Sequence, residues 1–342
     1  MGNKKDKPTF ERALGNLGSI SVSIGGIIGA GIFFIIGIAT GKAGPAVILS
    51  LILAGIIALF TSFSFASLGS KITKEGGDYQ FIYIAFGPII GFIAGIFWIF
   101  ASAISGVTVS IVFASYLTTL IPFAPVNMTA ALACIAFVFI DVAGIRFSSS
   151  VNNVLVLIKV GVLLLFIILS LPFLHFSNFN NFLAKSPHGI IDGTFLIFFA
   201  YAGFGKITAA AEEVKEPEKT VPKAIITAVV ISTFLYLMSG IASVGAVGAE
   251  KLSSVEYRNA PFAHVMLAIG FKWAFVVIAI GAITAAASVL LIQILGLSRT
   301  ICAMSVNKQL PPFFCELHPR FKTPYKAEII LGILMALAAL LM

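Results

Sequence analysis

The chain has 342 residues, of which 59% are hydrophobic and 11% charged, and its mean hydropathy is +1.07. Soluble domains carry about 25% charged residues, so a soluble domain is excluded, and the net charge of +8 reflects membrane topology better than nucleic-acid binding. Long apolar stretches without strand alternation predict an all-α protein whose helices cross a bilayer and satisfy their own backbone groups.

Nine spans are expected, near residues 17–40, 46–69, 88–118, 128–145, 151–173, 192–210, 222–247, 271–297 and 325–342. The first is too long, and its start too rich in glycine, for a cleavable signal peptide. It contains Ser23-Ile-Gly-Gly-Ile-Ile-Gly-Ala-Gly-Ile-Phe33, with glycines at 25, 26, 29 and 31. The fourth ends close to Asp141, the one acidic residue clearly inside a span. The fifth carries Lys159 in an apolar run, Asn153 to Phe166, that holds no acidic residue. A polar outer stretch, 174–190, then divides the chain into two halves. The sixth span contains Phe198-Phe-Ala-Tyr-Ala-Gly-Phe-Gly-Lys206, where Gly203 and Gly205 repeat the Gly-x-Gly spacing. Pro311, Pro312 and Pro319 make the segment between the eighth and ninth spans a connector. Cys134, Cys302 and Cys315 show no paired or metal-type spacing, so no disulfide framework, metal or cofactor is expected.

Basic residues test the orientation. With the N-terminus cytoplasmic, the inner segments hold fifteen: Lys4, Lys5, Lys7, Arg12, Lys71, Lys74, Arg146, Lys215, Lys219, Lys223, Arg299, Lys308, Arg320, Lys322 and Lys326. The outer segments hold five: Lys42, Lys185, Lys251, Arg258 and Lys272. Lys159 and Lys206 remain at membrane depth. The bias predicts a multi-pass protein of the cell membrane with a cytoplasmic N-terminus.

Two features ask for more than packing. Glycine costs about 0.8–1 kcal/mol in a helix interior relative to alanine. Small residues also line close helix contacts, which is the plainer reading of either glycine cluster taken alone. Two clusters at corresponding places, five spans apart, instead suggest discontinuous helices in inverted repeats, with a substrate site between them. An unwound turn exposes N–H groups beside a positive helix end, which suits a carboxylate. Its free carbonyls suit an ammonium, so an α-amino acid fits both. Lys159 is the second feature. An ammonium at the centre of a span costs roughly 2.5–3.5 kcal/mol on insertion scales and marks a functional site by default. Because burial disfavours the charged form of a lysine, this residue is a candidate proton carrier. Snorkelling to the interface is the alternative. Lys206 is expected to snorkel or to pair with Glu212 or Glu213.

At these residues the sequence resembles the amino acid–polyamine–organocation superfamily of permeases. The resemblance covers almost the whole chain, in order. It rests on Gly26-Ile-Ile-Gly-Ala-Gly-Ile-Phe33, on Gly76-Gly-Asp-Tyr79, on Phe199-Ala-Tyr-Ala-Gly-Phe204, and on Ala211-Glu-Glu-Val-Lys-Glu-Pro217 followed by Val221-Pro-Lys-Ala224. Ser298-Arg-Thr-Ile-Cys-Ala-Met304 with Leu310-Pro311 completes it. The resemblance implies a LeuT-like five-plus-five inverted-repeat fold with discontinuous helices 1 and 6, in a single domain over 1–342. The first repeat would span about 17–173 and the second, incomplete, about 192–342. It further implies that the backbone of Gly29, Ala30 and Gly31 takes the substrate carboxylate, and that carbonyls of Ile27, Phe199 and Ala202 take the amine beside Gly203. Phe199 and Tyr201 would cover the site. Lys159 would stand where other members bind sodium, contacting a carbonyl near Gly25 and the hydroxyl of Thr284 or Ser288.

The expected function is therefore secondary active transport of an amino acid substrate, neutral rather than cationic because no acidic residue stands at Gly205, with the proton as coupling ion. Catalytic residues are not expected: His175, His188, His264 and His318 fall in or near loops at unrelated spacings. Two alternatives are a non-transporting amino acid sensor or inactive truncated homologue, and a sodium-coupled symporter. The sequence stops within the ninth span of a fold that needs ten, so a fragment is the favoured expectation, ahead of a short homologue completed by a partner that supplies the missing helices.

Overall fold

The computed structural model describes residues 10–121, 125–183, 185–258 and 260–342. Lys4, Lys5 and Lys7, used above for orientation, lie outside the described residues. Among those described the fold is helical, with one isolated parallel bridge between Leu14 and Val214. The helices are α1 (Asn16–Ile27), α2 (Ala30–Ala43), α3 (Val47–Lys71), α4 (Asp78–Phe86), α5 (Pro88–Leu120), α6 (Val126–Val142), α7 (Ile145–Ser170) and α8 (Pro187–Phe199). After them come α9 (Lys206–Ala209), α10 (Pro217–Val247), α11 (Ala249–Leu252), α12 (Val255–Arg258), α13 (Pro261–Ala268), α14 (Ala274–Val306) and α15 (Tyr325–Leu341).

Among the described residues five stretches are long and apolar enough to cross a bilayer: Ala30–Lys71, Pro88–Thr118, Ile145–Phe173, Pro217–Val247 and Ala274–Val306. The first is folded back at a 3-10 turn, Gly44–Ala46, where Gly44 has φ +64°. The other expected spans are shorter helices or pairs of them. α6 and α15 have 17 residues each, the lower limit for a bilayer crossing. α1 with α2 takes the place of the first expected span, and α8 with α9 that of the sixth.

The long helices begin where backbone chemistry sets them. Pro88 opens α5 behind Gly87, which has φ +85°. Pro217 opens α10, at the position where a missing N–H costs nothing. α1 packs against α10, α7 and α14, and α14 also packs against α5. The core therefore gathers around the first and eighth spans. Large apolar side chains point outward elsewhere, among them Phe60, Phe97 and Leu157, as a lipid-facing surface requires.

Two side-chain placements correct the sequence reading. Cys302 on α14 and Cys315 in the connector are joined as a disulfide, although their spacing suggested no pairing. Arg299, counted above among the loop cations, is fully buried within α14.

Candidate functional site at two broken helices

The first break falls at Ile28 and Gly29. Ile28 closes α1 with ψ +88°, and Gly29 precedes α2 in an extended conformation, φ −102° and ψ −173°. Gly25 and Gly26 stay within α1. The leading N–H groups of α2 have no partners in their own helix, and no side chain caps them. Ala30 and Gly31 therefore present a positive helix end inside the bundle.

The second break runs from Ala200 to Gly205, a series of tight turns between α8 and α9. Gly203 faces Gly26 across the gap. A Cβ built on Gly203 would meet the Gly26 carbonyl oxygen at 2.1 Å, and one on Gly26 would meet the Gly203 oxygen at 2.8 Å. The two breaks touch backbone to backbone, which only glycine at both positions permits.

Tyr236, on α10, bridges them. Its hydroxyl lies 3.1 Å from the Ile27 carbonyl and 3.2 Å from the Ala200 carbonyl. A hydroxyl has one proton, so it serves one carbonyl at a time. The Tyr201 ring is fully buried and packs edge-on against Tyr236, with centroids 5.1 Å apart.

Behind the first break Lys159 is fully buried on α7. Its Nζ donates to the Gly25 carbonyl at 3.1 Å, to the Ile28 carbonyl, and to Ser288 Oγ at 2.5 Å. Ser288 Oγ in turn contacts the Gly25 carbonyl at 3.3 Å and the Ala285 carbonyl at 3.0 Å. No carboxylate forms an ion pair with Lys159 among the described residues.

The backbone trace as a whole matches a solved structure, that of MhsT in complex with L-phenylalanine, with a TM-score of 0.69 at 18% identity, covering 97% of this chain and 80% of that one. The amino acid permease family model matches residues 14–342. This chain belongs to the amino acid permease family. The permease is 31% identical to the branched-chain amino acid permease BcaP of Bacillus subtilis, over 96% of this chain and 74% of that protein. It is 32% identical to the methylthioribose transporter of the same organism, over 92% and 72%. It is thus a multi-pass membrane transporter with a LeuT-type five-plus-five fold, and not an enzyme.

The structure gathers Ile27, Gly29, Ala30, Gly31, Tyr201 and Gly203 of the permease at the two breaks, and Gly25 and Ser288 at Lys159. Three expected members stand apart. Phe199 is 69% exposed, so its ring turns to the outside of the bundle, and its carbonyl already accepts from the Ala202 N–H at 3.1 Å. Ala202 lies on the exposed side of the turn. The Thr284 hydroxyl bonds its own helix, at the Ile280 and Gly281 carbonyls, both 3.0 Å away, so Ser288 alone meets the lysine. Lys206 does not pair with Glu212 or Glu213. It is buried, with Nζ 4.5 Å from the centroid of the Trp98 ring, and Asp78 is the carboxylate that acts on it.

Tyr236, the Ile28 carbonyl and Asn152 were not anticipated. The Asn152 amide donates to the Ser21 carbonyl at 3.0 Å, and its Oδ1 would lie 2.4 Å from a Cβ on Gly25. A signal for Tyr236 did exist: membrane tyrosines concentrate at the interfaces, and this one sits mid-span.

Proposed function

We propose that the permease carries neutral amino acids across the cell membrane, driven by protons, with its N-terminus in the cytoplasm and its two repeats near 17–173 and 192–342. The observation that carries this reading is the Lys159 ammonium, whose three donors meet Gly25, Ile28 and Ser288. These bonds tie the broken first span to α7 and α14. A protonated lysine uses all three N–H groups; a neutral amine has only two and turns a lone pair toward a carbonyl. Losing the proton loosens the end of α1, and that is how a proton would be coupled to movement of the bundle.

In this reading the substrate carboxylate sits at the N-terminus of α2, on the backbone of Gly29, Ala30 and Gly31, where the helix end favours an anion. The ammonium takes the Ala200 carbonyl and the second lone pair of the Ile27 carbonyl, which also accepts from the Gly29 N–H at 2.9 Å, while the Tyr236 hydroxyl serves one of the two at a time. Tyr201 covers the pocket. Position 205 itself is a glycine rather than an acidic residue, and the nearby Asp78 faces Lys206, which favours neutral substrates; the similarity to a branched-chain amino acid permease points the same way. The similarity to a methylthioribose transporter supports a second reading, in which the cargo is a neutral thiosugar without a carboxylate.

Purified permease in liposomes tests both. Uptake of a radiolabelled branched-chain amino acid should follow an inward proton gradient, persist without sodium, and resist excess methylthioribose. Uptake that tracks sodium and ignores pH would discard the proton assignment. Transport of methylthioribose, with none of the amino acid, would establish the second reading.

A further inference from the structure

A second buried charge cluster lies at the end of the bundle that carries the N-terminal segment, and the reading above gives it no role. Arg299 on α14 is fully buried and meets three carboxyl groups from three other elements. Asp141 Oδ2, on α6, lies 2.9 Å from its Nη1, and Glu328 Oε1, on α15, lies 2.5 Å from the same nitrogen. Glu213 Oε1, on the segment after α9, lies 3.1 Å from Nη2. All three carboxyls are at most 1% exposed. A fourth, Glu75, is buried nearby, and its charge acts on the same guanidinium.

One guanidinium cannot balance this set. Fully ionised, the three contacting carboxylates against one cation leave two uncompensated negative charges in a dry interior, and Glu75 adds a third. Among the described residues no other cation forms an ion pair with them. Lys206 packs on Trp98 beside Asp78, Arg146 pairs with Glu11, Lys219 with Glu216 and Lys326 with Glu316. Glu212, the remaining acid here, approaches the Glu75 N–H and adds negative charge. The second oxygens of Asp141, Glu213 and Glu328, and both oxygens of Glu75, are buried without a hydrogen-bond partner. Asp141 Oδ2 and Glu328 Oε1 sit on the same guanidinium nitrogen, at 2.9 and 2.5 Å from Nη1, which brings the two carboxyl groups together on one donor. An ionised carboxylate only accepts, so two carboxyl groups crowded on one donor are relieved when one of them carries a hydrogen. Two like charges sharing one site do not both ionise. Among the described residues no group of three or more His, Cys, Asp or Glu side chains is placed to hold a metal ion.

We infer that Asp141 and Glu328 share a bound proton at neutral pH, which makes this cluster a proton-binding site separate from Lys159. In that state one carboxyl O–H donates to the other carboxylate, and the remaining negative charge is held by Arg299. The bound proton joins α6, α14 and α15. Glu213 brings in the segment after the sixth span, whose neighbours Glu213 and Lys215 pair with Leu14 through main-chain bonds of 3.0 and 2.8 Å.

Infrared spectroscopy of the full chain in lipid at neutral pH reads the proton directly, because a protonated carboxyl has a carbonyl stretch well separated from the bands of a carboxylate. A carboxylic acid band is expected in the unsubstituted protein, and Glu328→Gln and Asp141→Asn should each remove the same component, as two partners of one proton must. Asp141→Asn stands in should Glu328→Gln not assemble. The inference is overturned if the unsubstituted protein shows no carboxylic acid band at neutral pH. It is equally overturned if both variants leave the band intact, or if the band appears only when sodium and potassium are removed, which would assign the site to a cation. None of these outcomes depends on uptake, so the proposed proton coupling through Lys159 stands or falls separately.

Discussion

At Lys159 three donors meet three oxygens, and this geometry separates a functional cation from a snorkelling one. The side chain is fully buried and reaches inward to the Gly25 and Ile28 carbonyls and Ser288. Lys159→Ala should abolish gradient-driven uptake of the proposed substrate while leaving its binding measurable, because the α2 end and Tyr236 do not depend on the amine. Isothermal titration on the purified variant, set beside proteoliposome uptake, separates the two effects. Undiminished uptake would reduce the lysine to packing. The Ile28 carbonyl, left without its donor, should also lower stability by roughly 1–3 kcal/mol, whereas the Gly25 carbonyl keeps Ser288 Oγ at 3.3 Å. Lys159 was legible in the sequence because a lone charge in an apolar run has few innocent explanations. Arg299 was not, because cations near a span end ordinarily belong to the loop, and only the fold shows that Asp141, Glu213 and Glu328 converge on it from distant segments.

Among the elements, the two broken helices were readable as a pattern of Gly-x-Gly repeats five spans apart, but the work of each glycine was not. The resemblance placed the backbone of Gly29 and Gly31 against the substrate carboxylate, and a Cβ on Gly29 would meet the Val289 side chain at 2.8 Å. In the structure a Cβ on Gly31 meets nothing closer than 3.5 Å, whereas one on Gly203 would overlap a main-chain oxygen of Gly26 at 2.1 Å. Sequence spacing shows where a helix is free to open, but not which glycine lies against the opposing backbone. Gly203→Ala should therefore push the two breaks apart, lowering the apparent melting temperature at a cost of about 1–3 kcal/mol and strongly reducing uptake. Gly31→Ala should leave the melting temperature close to that of the unsubstituted protein. Equal melting temperatures for the two variants would show that the close backbone approach is not a constraint. Tyr236 belongs to the same scale: a hydroxyl on α10 holds carbonyls from two other helices, and one sequence cannot register such a long-range pairing.

For the molecule as a whole, stability should depend on pH through acids buried outside the spans. Asp78 opens α4, and burial pushes its pKa up from 3.8 to about 6, with Lys206 opposing the shift. Burial, reinforced for Glu75 by the Glu213 charge, moves Glu75 and Glu213 in the same direction, against Arg299. An acid whose pKa is raised by folding binds its proton more tightly in the folded state than in the unfolded one. The folded state therefore gains from protonation at low pH and loses that gain as pH rises through the folded pKa. For Asp78 the window runs from about 4 to about 6, and the contribution is on the order of 1–3 kcal/mol. The apparent melting temperature of the detergent-solubilised permease should fall as pH is raised through this window, the reverse of the behaviour expected when carboxylates are held by ion pairs. Asp78→Asn cannot ionise, so it should flatten that part of the curve and raise the melting temperature near neutrality. A profile that climbs across the window, or one that Asp78→Asn leaves unchanged, would mean that Lys206 outweighs burial and holds Asp78 ionised. The pair would then act as a salt bridge between the start of α4 and the end of the broken sixth span.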